Sequence, residues 1–195
     1  MGRKLSFCKD EALVKATRLF GQRGYEKTCM RDVANELKVP VASLYHSFGD
    51  KNALLLAALE SYFESTVKPR MVALAAAPNP MAAIENHFSE VIARYSNPDE
   101  NTSGCVMLHA ASDLALQVPE AAKAAKQMMK FAREQFMAAI TRGQEMGEIT
   151  TAHPAEFLSA HLMANLIAIK TWLRMGANME MLHNYTRQAL AILRA

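Results

Sequence analysis

The sequence predicts an all-α protein of about nine helices, on three observations. Apolar residues recur three and four apart almost throughout, the repeat that lines one face of a helix. No alternating apolar and polar run of useful length marks a strand. Proline and glycine punctuate the pattern asymmetrically, with Pro119 and Pro154 near helix starts and Gly147 and Gly176 near helix ends.

The first helix is expected over about residues 9 to 23, with Leu13, Ala16, Leu19 and Phe20 on one stripe and Gly24 just past its end. Gly24-Tyr25-Glu26-Lys27 reads as a turn. Thr28 is a natural N-cap for the second helix, because its hydroxyl can accept from an orphan backbone amide; Met30, Val33, Ala34 and Leu37 form that helix's inward face. Lys38-Val39 makes the next turn. Pro40 fits the first position of a third helix, where its missing N–H costs nothing, and Leu44 and Phe48 lie one turn apart on the buried side. Asp50 reads as the cap of a fourth helix running to near Val67 or beyond, with Pro69 marking an end or a kink.

After the loop "AAAPNP" a helix is expected over about 80 to 95, followed by the polar loop "SNPDENTSG". Further helices are expected over about 104 to 117, 119 to 146, 154 to 176 and 178 to 194. The chain shows no internal repeat and no low-complexity linker, so the fourth helix is expected to join the two parts of the molecule directly.

A chain of 195 residues with 51% hydrophobic content can bury one large core or two modest ones. No run of about 18 apolar residues appears, and the start "MGRKLSFCKDEALVK" lacks the apolar segment of a secretory signal, so a cytoplasmic protein with no membrane partner is expected. Cysteines at 8, 29 and 105 are odd in number and widely spaced, which suits free thiols in a reducing compartment. The net charge of +3 hides an asymmetry: residues 1 to 51 carry ten Lys/Arg against six Asp/Glu, and the remainder twelve against thirteen. A basic N-terminal segment on a near-neutral body suits a polyanion-binding module attached to something else, although a solvated charged face has the same composition.

Three short helices with a tight turn between the second and third describe a helix-turn-helix, whose third helix enters the major groove of double-stranded DNA. With Leu44 and Phe48 held from behind, Ser43, Tyr45 and His46 face outward, where a hydroxyl or ring nitrogen can reach phosphate oxygens or base edges. Lys51 adds a cation in the first turn of the fourth helix. The stretch "ALVKATRLFGQRGYEKTCMRDVANELKVPVASLYHSFGDKNALL", residues 12 to 55, resembles the DNA-binding domain of the TetR family of transcriptional regulators. The matching elements are "LF" before a Gly-containing turn, Thr opening the second helix, "VA" within it, "SLYHSF" in the third, and Lys51 followed by Leu54.

The resemblance implies phosphate contacts from Thr28, Tyr45 and Lys51, with Ser47 as a further candidate, and places Val41, Ala42, Ser43 and His46 against the groove. It also implies that Arg31 reaches a base or a phosphate, a guanidinium being well shaped for the O6/N7 edge of guanine; a surface salt bridge is its other use. For Tyr45 the other use is core packing. Two departures bear on the turn: Lys38 stands where the family usually has Gly, and Pro40 where it usually has a Ser cap. Ala42 replaces a frequent Gly. The resemblance sets domain limits at residues 1–51 for the reading head and 52–195 for a helical effector-binding and dimerisation domain.

Eleven of the thirteen methionines follow residue 70, among aromatics that include Phe88, Tyr95, Phe131, Phe136 and Trp172. That composition suits a deformable apolar cavity and equally an ordinary core. Family members typically bind a small inducer in this part of the chain, which makes Phe88, Tyr95, Met128, Phe131 and Trp172 candidate lining residues. Such a ligand releases DNA by favouring the DNA-incompetent arrangement. "FLSAHLMANLIAIKTWL" sets Leu158, Leu162, Ile169 and Leu173 on one stripe, and "LHNYTRQALAIL" adds Leu182, Ala189, Leu190 and Leu193. Packed against a second copy, these stripes would give the two-fold homodimer that a palindromic operator requires; a monomer core is their competing use.

Cys105 falls at the start of the helix expected over 104 to 117, where amides and the helix dipole lower a thiol pKa. The "GC" there resembles a subgroup of the family that includes repressors responding to reactive electrophiles and oxidants. Alkylation or sulfenic acid formation at Cys105 would be the signal, with His109 one turn on as a nearby cation or base and Lys170 as a further neighbour. A buried inert cysteine is the plainer reading. The alternative class is a Cys-dependent all-α enzyme built on Cys105 and His109, for which the chain offers no glycine-rich donor loop and only Asp113 as a third member. No cofactor is implied, and His87, His153, His161 and His183 supply no clustered metal set beside Cys105 and His109.

Overall fold

The computed structural model describes residues 7–96, 106–114 and 116–194, with Tyr95, Ser96, Ser112 and Asp113 described in their backbone alone. The helices are α1 (Lys9–Arg23), α2 (Met30–Leu37), α3 (Val41–Phe48), α4 (Lys51–Tyr62), α5 (Lys68–Ala76), α6 (Pro80–Ser96), α7 (Val106–Asp113), α8 (Pro119–Glu145), α9 (Ala155–Arg174) and α10 (Met179–Ala191). A π-helical turn, Phe63–Val67, joins α4 to α5 without a loop. Counting that run as one helix, the described residues hold nine helices and no strand, the all-α fold expected.

Packing divides the chain into two compact units, Met1–Val67 with Gly104–Met128, and Lys68–Ser103 with Met129–Ala195. This differs from a boundary after residue 51. The difference has a plain cause: Leu54, Leu55, Ala58 and Leu59 of α4 are sealed, and α4 packs chiefly on α1. Each of these leucines is held by burial worth about 2 kcal/mol, so α4 folds with the reading head.

In the first unit, α1 turns Ala12, Ala16, Leu19 and Phe20 inward, α2 contributes Met30, Val33 and Ala34, and α3 contributes Leu44. Thr17 ties α1 to α4 inside this core, its hydroxyl lying 2.8 Å from the Leu13 carbonyl and 3.2 Å from that of Ala58. Leu13, Leu37 and Phe48, expected inward, are only half-buried, and Phe48 meets the Phe7 ring at 6.3 Å. α7 packs on α1.

In the second unit, α6 packs on α5 and α9, around Phe88, Phe136, Ile84 and Ile140. The α8–α9 connection is drawn onto its neighbours. Glu148 and Ile149 donate to the Gly143 carbonyl at 2.8 and 3.1 Å, Thr150 donates to the Leu193 carbonyl at 2.9 Å, and the Gln144 amide bonds the Thr150 and His153 carbonyls. Among the described residues no helix is long and apolar enough to cross a membrane.

Candidate functional site

The first unit presents α3 to its surroundings, and three local devices set that helix. The α2–α3 turn is closed by Lys38 in the left-handed region, φ 56° and ψ 43°, with Val39 donating to the Ala34 carbonyl at 3.0 Å. The Lys-for-Gly departure therefore leaves the geometry of a glycine-type helix end intact. Pro40 is the N-cap of α3 rather than its first residue, and Ser43 donates to its carbonyl at 2.9 Å. Gly49, φ 82°, ends α3, and Asp50 caps α4 by accepting the Ala53 N–H at 2.8 Å, as the sequence predicts.

Leu44 is fully buried while Tyr45 on the same short helix is 52% exposed. His46 and Ala42 are exposed, and Val41 and Ser43 half-buried, so the candidate groove-facing residues share a solvent-reaching side of α3. The Ser47 hydroxyl donates to the Ser43 carbonyl at 2.8 Å, inside the helix. Arg31 is exposed on α2 and makes no ion pair among the described residues, though its charge helps lower the Asp32 carboxyl.

Thr28 is a correction. It is fully buried and its hydroxyl lies 2.8 Å from the Gly24 carbonyl and 3.3 Å from that of Leu19, so it locks the α1–α2 turn and is not positioned to touch a phosphate. Nor does it cap α2. The cap is Cys29, whose N–H donates to the Asp32 carboxylate at 2.7 Å; the bonds from Cys29 hold the Asp32 carboxyl below its usual range.

Lys51 is half-buried, its Nζ 3.8 Å from the centre of the Tyr25 ring. Tyr25 also donates its hydroxyl to Asn52 Oδ1 and stacks on Phe20, rings 6.2 Å apart. Burial first, then the Glu26 and Asp50 carboxylates, push the Tyr25 phenol above its ordinary value. Sequence reasoning passed over Tyr25, treating it as part of a turn, because nothing in the local pattern says that the turn brings it beside α4.

Phe88 is fully buried and meets Phe136, rings 6.2 Å apart; Phe131 is half-buried; Met128 belongs to the first unit. Trp172 is 43% exposed on α9. Cys105 and the Tyr95 side chain lie outside the described residues, and His109 is half-buried on α7. Beside Phe88, His87 stands edge-on to the Phe136 ring at 5.5 Å. Burial, with the Lys170 and Arg70 charges, lowers its pKa to about 4.

The proposed dimer stripe is also corrected. Leu158, Leu162, Ile169 and Leu182 are sealed, Leu190 is nearly so, and Leu173 is half-buried, all within a single chain. The stripe is too apolar for water, and α6, α9 and α10 use it as their own core. Exposed apolar residues of α9 and α10 include Phe157, Ala160, Ala164, Trp172, Met181 and Tyr185, with Met175 just past α9, interspersed with exposed polar residues such as Glu156, Arg174, Glu180, His183 and Arg187. Two polar bonds fix the pair: Tyr185 donates to Asn165 Oδ1 at 2.6 Å, and the His161 ring bonds the Ala189 carbonyl at 2.8 Å.

A short helix with a buried heel and a polar, exposed face, held across a tight turn from α2, is the reading head of a helix-turn-helix DNA-binding protein. Residues 12–58 match the family of bacterial regulatory proteins described as the tetR family. The chain is similar to the uncharacterized HTH-type transcriptional regulator YezE of Bacillus subtilis (strain 168), 26% identical over 99% of this chain and 100% of that one. It is also similar to the HTH-type transcriptional repressor ComR of Escherichia coli (strain K12), 26% identical over 93% of this chain and 86% of the relative. Its fold matches a cysteine mutant of the TetR family transcriptional regulator CifR complexed with a 26-bp operator duplex. The TM-score is 0.85 at 23% identity, covering 97% of this chain and 98% of that one. Residues 12–58 are thus a TetR-type DNA-binding domain, and the chain is a transcriptional regulator. The Cys105/His109 enzyme reading finds no support in these comparisons.

Proposed function

We propose that the protein acts in the cytoplasm as a homodimeric repressor that reads a palindromic operator with α3 and leaves it when a small molecule binds or when Cys105 is modified. The observation that carries DNA reading is the contrast within α3 between sealed Leu44 and exposed Tyr45 and His46. Repression is favoured by the similarity to ComR, a repressor by name. The exposed large side chains Phe157 and Trp172 of α9, Met175 just past it, and Met181 and Tyr185 of α10 support self-association, since exposed large apolar groups favour a partner over water.

The test is binding of the purified protein to the DNA flanking its own coding region at modest salt. A sequence-specific shift with one dimer per palindrome is expected; no specific shift there or on a selected pool would count decisively against the reading. Release by an electrophile that Cys105→Ser prevents would support the sensor, and normal release of that variant would remove it.

A further inference from the structure

We propose that Tyr25 is a positioning residue for DNA binding: its ring carries the Lys51 ammonium and its hydroxyl anchors Asn52, so that the entry of α4 meets the phosphate backbone with both side chains already placed. The inference rests on the reading of Lys51 as a phosphate contact.

The contact is built outward from the core. Phe20 is 2% exposed, Tyr25 stacks on it with the two rings 20° from parallel, and Lys51 Nζ stands 3.8 Å above the Tyr25 ring. That height is contact distance for a cation on an aromatic face. A lysine stem otherwise samples many rotamers and loses them on binding, so a stem laid on a fixed ring gives up less when phosphate arrives. The choice of partner matters as well. A carboxylate would hold Lys51 in place but cancel its charge, whereas a neutral ring holds it and leaves the full positive charge for DNA.

Asp50, the nearest acid in sequence, accepts the Ala53 N–H through Oδ1 and forms no ion pair with Lys51 among the described residues. The bond from the Tyr25 hydroxyl occupies Asn52 Oδ1 and leaves the amide Nδ2 as a donor for a second oxygen. A phenol keeps its proton at neutral pH, and burial raises that of Tyr25 further, so the hydroxyl is available as a donor.

The experiment is a double-mutant cycle on the full-length protein, read by binding to a random-sequence duplex at low salt, where phosphate contacts dominate. Lys51→Met is expected to weaken binding and to reduce the slope of log K against log salt by about 0.9. Tyr25→Leu is expected to weaken binding about five-fold when Lys51 is present and by less than about two-fold in the Lys51→Met background. Tyr25→Phe, which keeps the ring and loses only the Asn52 anchor, should weaken binding by up to about two-fold, less than Tyr25→Leu, and by the same factor in both backgrounds. Equal losses from Tyr25→Leu in both backgrounds, or a loss from Tyr25→Phe as large as that from Tyr25→Leu, would overturn the proposal. If Lys51→Met costs nothing and leaves the slope unchanged, the phosphate reading of Lys51 fails first and the proposal falls with it. Melting curves report whether Tyr25→Leu folds. If it does not, Tyr25→Trp and Tyr25→Phe, which both lack the hydroxyl and differ in the ring, decide: a Trp advantage over Phe that vanishes in Lys51→Met supports the platform, and one that survives there overturns it.

Discussion

Replacing Lys38 by glycine is expected to stabilise the protein. Lys38 sits at φ 56° and ψ 43°, a conformation that brings a Cβ against the following carbonyl and costs a non-glycine residue about 1 to 2 kcal/mol. Glycine avoids that cost but gains freedom in the unfolded chain, which returns about 0.5 to 1 kcal/mol. The backbone bonds that close the turn, from Lys38 and Val39 to Ala34 and Asn35, do not involve the side chain. The side chain itself is exposed and makes no ion pair among the described residues. The net gain is therefore about 0.5 to 1 kcal/mol, a rise in melting temperature of about 1 to 4 °C for a chain of this size. Thermal melts at one fixed protein concentration measure it. Lys38→Val, with a branched Cβ in the same conformation, should be clearly less stable than the parent. If Lys38→Gly melts at or below the parent, or Lys38→Val matches it, the turn is not held where the structure puts it.

Four further outcomes are expected. Gly143→Ala, normally favourable inside a helix by up to about 1 kcal/mol, should instead destabilise by about 1 to 2 kcal/mol in a urea titration. The added Cβ would stand 2.5 Å from Ile149 Cδ1 and 3.3 Å from its Cβ, and Ile149 is sealed. His87 is neutral in the native state with a pKa of about 4, below an unfolded value near 6.5, so its contribution is complete above pH 6.5 and is lost as pH falls toward 4. An acid-side loss of up to about 3 kcal/mol should shrink in His87→Gln, as followed by stability against pH. Tyr45→Ala should weaken operator binding about ten-fold with little change in melting temperature, since its side chain is half exposed; an equal fall in both would point to folding. If α9 takes part in the proposed self-association, Trp172→Arg should weaken it in sedimentation experiments without lowering the helix content of the folded chain, because Trp172 is 43% exposed within one chain.

The helices and the reading head were largely legible because they depend on local chemistry. The cap at Asp50, the anchor at Leu44 and the start at Pro119 follow from residues acting within one turn. What the sequence left hidden depends on partners distant along the chain. Periodicity says that Leu158, Leu162 and Ile169 must leave water, but not whether a neighbouring helix or a second copy covers them. Thr28 has the chemistry of a cap and of a phosphate contact, yet the Gly24 carbonyl claims its hydroxyl. The π turn over "FESTV" carries no proline or glycine to mark it. Tyr25 and Lys51 lie 26 positions apart, and only the packing of α1 on α4 makes them neighbours.

The joint after α8 behaves as a clasp. A missing side chain at Gly143 makes the notch into which Ile149 drops, and carbonyls from the helix and from the last turn of the chain then hold the backbone on either side of it. A fusion partner, epitope tag or fluorophore spliced between Glu148 and His153 would pry this clasp open and free the C-terminal end that Thr150 secures through Leu193. The corner that a topology diagram would offer as a harmless insertion point is among the poorest places in the second unit to add anything.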